Sequence, residues 1–204
     1  MFGGTLGDWE TEPIDLELKP GYKPFNCKYY LVPGGKKYAF GKYPERLMKI
    51  GVLTPVQHSQ CGTPVFIIPT KEGTVGFITD YCRLNQKLVR KPYQLPRIGD
   101  TIQQLEGFQY ATALDLNMRY FTIRISPASQ DKTSIVNEFG VFMYNFLVMG
   151  MCASVDIFQA KLDKIIGDIE GVKTYINYIS VLIKKISSKY IEKLRVIFGR
   201  FLSA

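Results

Sequence analysis

Apolar positions recur along the chain with two different periods. Pro64 to Pro69 is a short apolar run bounded by prolines. Lys71-Glu72-Gly73-Thr74 reads as a turn, and Val75 to Asp80 returns, which predicts a hairpin over 64–80. Tyr110 to Leu116 and Phe121 to Ile125 are strand-like. Thr133 to Asn137 and Val141 to Phe146 predict a second hairpin about Glu138-Phe139-Gly140. The period then changes. Val155, Phe158, Leu162, Ile165 and Ile169 fall three and four residues apart, which predicts an amphipathic helix over 154–169, with Ser154 as cap and Gly171 beyond its end. Ser188 to Leu202 repeats the pattern, with Ile191, Leu194, Ile197 or Phe198, and Phe201 on one face. Pro44 to Ile50 predicts a short helix with Pro44 at its first position and Gly51 as its stop. Ile98 to Leu105 predicts another, ended by Gly107. Two prolines make Leu84 to Arg97 extended, and residues 1–41 read as an irregular lead-in. The order of elements is that of a mixed α+β chain.

One more segment has the hairpin pattern: KTYINYISVL, residues 173–182, with apolar arms about a centre at Asn177-Tyr178. Asn suits a tight turn because it tolerates positive φ. Tyr does not, and Gly is its usual replacement there.

Composition narrows the chemistry. The chain has 204 residues, 46% of them hydrophobic, enough to fold around a core. A formal charge of +8 fits a polyanionic partner, nucleic acid before an anionic membrane surface, with a merely basic surface as the plain alternative. Cysteines stand at 27, 61, 82 and 152, with no CxxC spacing, and His58 is the one histidine, in a polar QHSQ loop. That argues against a Cys/His zinc site and against a histidine-based nucleophilic mechanism. Unpaired cysteines suit a reducing compartment. The longest apolar run, Phe146 to Ala153, is far shorter than a membrane span. MFGGTLGDWETEP lacks a basic start and an apolar core, so no signal peptide is expected, and the cytosol or nucleus is.

Asp115, in ATALDLNMRY, follows an apolar strand and precedes a turn. It reads either as a turn-capping residue or as a carboxylate waiting for a partner. A strand-end Asp, a long helix and then a hairpin is the layout of a two-metal phosphoryl-transfer site. Such a site draws oxygen ligands from separate elements around divalent ions roughly 3.5–4 Å apart. Leu84 to Arg97 adds Lys87, Arg90, Lys91 and Arg97 around Tyr93. That is a strand-tracking nucleic-acid surface or, equally, a solvated basic loop.

Five segments in order carry a family likeness: GVLTPVQHSQCGTPVFIIP, KEGTVGFITDYCRLNQ, RKPYQLPRIGDTIQQLEGFQYATALDLNM, ASVDIFQAKLDKI and GVKTYINYISVL. From about Lys42 onward the chain resembles the reverse transcriptase of gypsy-type long-terminal-repeat retrotransposons. The resemblance implies a polymerase fingers-and-palm fold, an antiparallel palm sheet backed by helices. It divides the chain into 42–110 fingers-like, 111–186 palm-like (with 127–145 returning to the fingers) and 187–204 as the start of a thumb, most of which is expected to be absent. It also implies magnesium, template-primer and nucleoside triphosphate as partners, and no membrane. In that family the hairpin carries Tyr-X-Asp-Asp, whose aspartates join the strand-end Asp in holding the metal. Here the four positions are Tyr175, Ile176, Asn177 and Tyr178, so Asp115 is the one carboxylate retained.

Other positions drift too. By resemblance Lys71, Tyr120, Gly150 and Gln159 fall in the nucleotide and primer-grip region. Gly76 and Cys82 stand where Arg is usual, Arg119 where Gly is, Val148 for a Pro, Val155 for a small residue and Cys61 for a Trp. Arg119 beside Tyr120 is expected to crowd the sugar pocket, and Asp163 is expected to face solvent, with Asp156 near the helix cap. The implied protein is a decayed polymerase fragment without effective catalysis. The alternative is a basic nucleic-acid-binding remnant.

Overall fold

The computed structural model describes residues 7–69, 75–95, 107–108, 110–183 and 188–204. The fold is α+β, and the residues group into two compact units, one within 4–90 and 120–154, the other within 91–119 and 155–204.

The first unit is built on a five-stranded sheet in the order β1-β6-β5-β2-β3. Its strands are β1 (Leu53–Val56), β2 (Thr63–Pro69), β3 (Val75–Thr79), β5 (Ile135–Asn137) and β6 (Gly140–Tyr144). The two predicted hairpins form, β2 against β3 and β5 against β6. A parallel contact of β2 with β5 joins them. Asn137 pairs with Gly140, leaving Glu138 and Phe139 as a two-residue loop. Pro55 is tolerated because β1 is an edge strand, where a missing N–H breaks no ladder. Val65, Ile135, Phe142 and Leu53 supply the buried face.

Helix α1 (Lys37–Lys49) is longer than expected, and Pro44 lies inside it rather than at its start. An interior Pro costs a hydrogen bond. The helix holds because Phe40 and Leu47 are 1% exposed, and Phe40 stacks on Phe77 at 5.3 Å. Its end matches expectation. Gly51 takes φ +76°, its N–H reaches the Met48 carbonyl at 3.0 Å, and Val52 N–H reaches that of Leu47 at 2.8 Å. That pair of bonds is a Schellman cap.

Three further segments depart from expectation. Cys82–Lys87 is a helix, α2, because Pro92 and Pro96 act only on residues well downstream, and Asp80 accepts the Cys82 N–H at 3.1 Å. Phe121 to Ile125 is not a strand: Arg119–Thr122 is a 3-10 turn, followed by isolated bridges at Arg124 and Ile125. The lead-in is irregular only as far as Pro33, then turns helical, and its described part is packed. Trp9, Leu16 and Val32 are buried, and Arg124 holds Asp8 with two guanidinium nitrogens while lying over Phe146. Predicted elements at 71–74 and 98–105 lie outside the described residues.

The second unit is a three-stranded antiparallel sheet, β4-β8-β7, from β4 (Tyr110–Asp115), β7 (Val172–Tyr175) and β8 (Tyr178–Ile183). Among the described residues two helices belong to it: α3 (Cys152–Ile166), from residue 155 on, and α4 (Ser188–Leu202). Ile179, Val181, Phe158, Leu162, Ile166 and Ile197 form its core. Helix α3 begins two residues before Ser154, which is buried and donates to the Val148 carbonyl at 2.5 Å instead of capping. Ile191 is 58% exposed, so the apolar face of α4 is narrower than its spacing implies. Among the described residues no helix is long and apolar enough to cross a membrane.

Candidate functional site

Strand β4 is at the sheet edge, and Asp115 at its end is exposed rather than buried. The register puts Asp115 directly opposite Tyr178 of β8, and Tyr178 directly opposite Tyr175 of β7. The hairpin loop is therefore Ile176-Asn177, one residue earlier than the predicted centre. Tyr178 belongs to the strand, which resolves the awkwardness of a Tyr at a turn.

The positive φ falls on Ile176, at +55°. A β-branched residue is poorly suited to it, and Gly is usual at the first position of such a loop. Tertiary bonds hold it there. Ile176 N–H donates to Gln159 Oε1 at 2.9 Å, and Leu116 N–H donates to the Asn177 carbonyl at 2.9 Å.

Gln159 is fully buried and serves this hairpin, not an exposed nucleic-acid surface. Its Nε2 donates to Thr174 Oγ1 at 2.8 Å and to Asp163 Oδ1 at 3.0 Å. Asp163 does not face solvent freely. It also accepts Thr174 Oγ1–H at 2.6 Å and the Tyr93 hydroxyl at 2.9 Å. That bond, with a smaller contribution from burial, pushes the Tyr93 phenol above its ordinary range. Asp156 is 3% exposed and lies beyond the first turn of α3, where it accepts the Tyr93 N–H at 3.0 Å. No spacing rule marked these polar residues. The signal available was three polar side chains, Asp156, Gln159 and Asp163, three and four apart on the helix that precedes the hairpin.

Asn177 Nδ2 donates to Asp115 Oδ1 at 2.7 Å. The amide must present its NH2, because a carbonyl oxygen at that distance from a carboxylate would be repelled. Asp163 does not share a face with Asp115. Thr174, its partner, alternates with Tyr175 along β7, so Asp163 lies behind the sheet and Asp115 in front. Among the described residues no cluster of three or more His, Cys, Asp or Glu could hold a metal. One carboxylate already bonded to an amide, beside a phenol, does not fit a pair of magnesium ions.

Lys71 and Arg97 lie outside the described residues. Tyr120 is buried at 5% exposure. Gly150, at φ +90°, accepts the Asn85 side-chain amide at 2.9 Å. Lys87, Arg90 and Lys91 are exposed. Arg119 directs its guanidinium over the Phe158 ring, 6.0 Å from the centroid. Val148 is buried and Val155 half-buried. All four cysteines are free, and His58 is exposed in a loop.

An α+β chain with an Asp-ended edge strand beside a tight hairpin has the fold of reverse-transcriptase structures. The prototype foamy virus protease–reverse transcriptase superposes with a TM-score of 0.89 over 98% of this chain and 26% of that one, at 24% identity. The foamy viral enzyme in complex with an RNA/DNA hybrid also gives 0.89, at 21% identity and 27% of its length. Curated relatives are similar in sequence. The Transposon Tf2-7 polyprotein of Schizosaccharomyces pombe is 26% identical over 192 residues, 94% of this chain. The Retrovirus-related Pol polyprotein from transposon 412 of Drosophila melanogaster is 26% identical over 206 aligned positions, again 94% of the chain. The likeness thus takes in most of the lead-in as well. The chain spans only 14% and 16% of the length of these two relatives. No family model matches it.

Proposed function

We propose that this chain is the reverse-transcriptase portion of a gypsy-type retrotransposon polyprotein that has lost templated nucleotidyl transfer and kept a capacity to bind nucleic acid. The observation that carries this is the hydrogen bond from Asn177 to Asp115, at the position where the resemblance implies a magnesium site. On this reading the five-stranded unit corresponds to fingers and the three-stranded unit to palm. RNA/DNA template-primer is the partner, with Lys87, Arg90 and Lys91 on its phosphates. By resemblance Tyr120, Gly150 and, outside the described residues, Lys71 match positions that would hold a nucleoside triphosphate in an active relative. Support comes from the fold, from relatives that are transposon polyproteins, and from the +8 charge.

The donor set present gives magnesium one carboxylate, so no chemical step is assigned to a metal here. Primer extension on an RNA template, with magnesium and separately with manganese, tests the proposal. The expected result is no extension above background with either ion, alongside measurable binding of the same template-primer. Robust extension by the purified chain overturns the loss of activity, and absence of binding overturns the retained function.

A further inference from the structure

The register at the hairpin divides the three-stranded sheet into two unlike faces. On one face, Thr112 Oγ1 meets the Tyr190 hydroxyl of α4 and Thr174 meets Asp163 of α3, so both helices pack there. The opposite face carries three side chains in one row, Asp115, Tyr178 and Tyr175. Ala113, Ser180 and Lys173 form the next row. Ala111 and Ala113 are exposed, and Ser180 and Lys173 are half-buried. Beside this floor of small residues Tyr178 is 50% exposed. An aromatic ring in a strand normally packs across its neighbours. This one has Asp115 on one side and Tyr175 on the other, and half of its surface remains open.

Charge on this face is also unlike that of a metal site. Asp115 is its one described carboxylate, and Asn177 already donates to it. Lys173 stands two residues along β7 from Tyr175 and projects on the same face. An open ring above a floor of small side chains, with a lysine in the adjacent row, is what an unpaired nucleobase and its phosphate require.

Resting on the nucleic-acid-binding reading above, we propose that Tyr178 is a stacking platform for an unpaired base of single-stranded nucleic acid, with Lys173 facing the neighbouring phosphate, and that this binding needs no divalent ion. The base lies on the exposed phenol, and specificity among bases is low, because every base offers a π-face. A duplex, whose bases are stacked already, gains nothing from the ring.

The test is fluorescence anisotropy with a labelled oligothymidylate of about a dozen nucleotides and an abasic strand of equal length. Both are titrated in EDTA and again in magnesium. The parent chain is expected to bind the thymidylate roughly tenfold more tightly than the abasic strand, with equal affinities in the two buffers. Tyr178→Ala is expected to reduce thymidylate affinity to the abasic level, and Tyr178→Phe to retain it. Circular dichroism on each variant checks that it folds. Should Tyr178→Ala prove misfolded, the comparison of base-bearing with abasic strands on the parent chain decides alone. Equal affinity for the two strands, a parent-like Tyr178→Ala, or a requirement for magnesium overturns the stacking platform while leaving general nucleic-acid binding intact. Binding of neither strand, nor of template-primer, overturns both.

Discussion

Asn177 Nδ2 lies 2.7 Å from Asp115 Oδ1, and this bond ties the hairpin loop to the end of the neighbouring strand. It joins a carboxylate to a neutral donor, so the site is stable without a cation. Replacing Asn177 and Tyr178 together by Asp reverses that. Like charges at 4 Å repel by about 4 kcal/mol at an effective dielectric of 20, and exposure reduces the net cost to about 1–2 kcal/mol. The double variant is expected to melt roughly 3–6 °C below the parent in EDTA and to recover in millimolar magnesium, whereas the parent melts alike in both. Thermal melts of the two proteins check this. A parent chain stabilised by magnesium as much as the variant would contradict the charge argument. Extension activity gained by the double variant would trace the loss to these two positions. Its absence would direct attention to the other drifted positions, Gly76 and Arg119 among them.

Gln159 holds the loop from behind. Its Oε1 accepts Ile176 N–H, and its Nε2 serves Thr174 and Asp163; Gln159 is itself fully buried and its partners are half-buried. Gln159→Leu keeps the volume and strands those partners. An unsatisfied buried group costs about 1–3 kcal/mol, so a loss of about 2–3 kcal/mol is expected. Hydrogen exchange at the Ile176 amide localises it. That amide is expected to lose protection well beyond the global change, because its acceptor is gone. Unchanged protection would mean that the loop is held by its strands alone.

Much of this architecture was legible in the pattern of apolar residues. The 64–80 hairpin, the Glu138-Phe139 loop and both long helices follow from period alone, since each buries one stripe against a core. The Gly51 cap was legible for a stereochemical reason, positive φ. Pro44 resembles a start signal, so sequence alone predicts too short a helix α1. The spacing of Phe40, Pro44 and Leu47 already described the buried face. The hairpin slipped by one residue for a deeper reason. Local propensity assigns positive φ to Asn177, and bonds from Gln159 and Leu116, distant in sequence, impose it on Ile176 instead. Periodicity sees only one element and directs Asp163 to solvent, whereas the hairpin folds over that side of the helix. An amide and a phenol next to the hairpin tip are plain in the sequence. The bond from that amide to the Asp115 carboxylate required the structure.

Tyr93 and Asp163 form a bond whose worth depends on pH. The phenol is raised because its proton is held by the Asp163 carboxylate. A folded-state value above the unfolded one means the stability is complete below the unfolded pKa near 10 and is lost as pH rises through the folded pKa. At pH 7, Tyr93→Phe is expected to cost about 1 kcal/mol. Once pH exceeds the raised folded-state value, the deprotonated phenol repels the carboxylate, and the two proteins converge or cross. Melting midpoints for both proteins, from pH 7 upward until the parent's Tyr93 phenol ionises, check this. A constant gap over the whole range would show that Tyr93 contributes packing and no ionic hydrogen bond.

Phosphate contacts make the last expectation quantitative. Lys87, Arg90 and Lys91 are exposed on consecutive stretches of a chain with +8 charge. If they neutralise phosphates, binding of template-primer releases counterions, and log affinity falls linearly with log salt. A steep loss between about 50 and 200 mM salt is expected, with each Ala substitution at these positions lowering the slope by about one unit. The same substitutions are expected to weaken all sequences equally, since phosphates carry no base information. Tyr178→Ala, in contrast, is expected to lower affinity for single strands without altering the slope, because stacking displaces no counterion. Titrations at four salt concentrations separate the two contributions on one plot. A flat response in the parent chain would remove phosphate binding, and parallel lines for the lysine and arginine variants would place the basic surface elsewhere on the molecule.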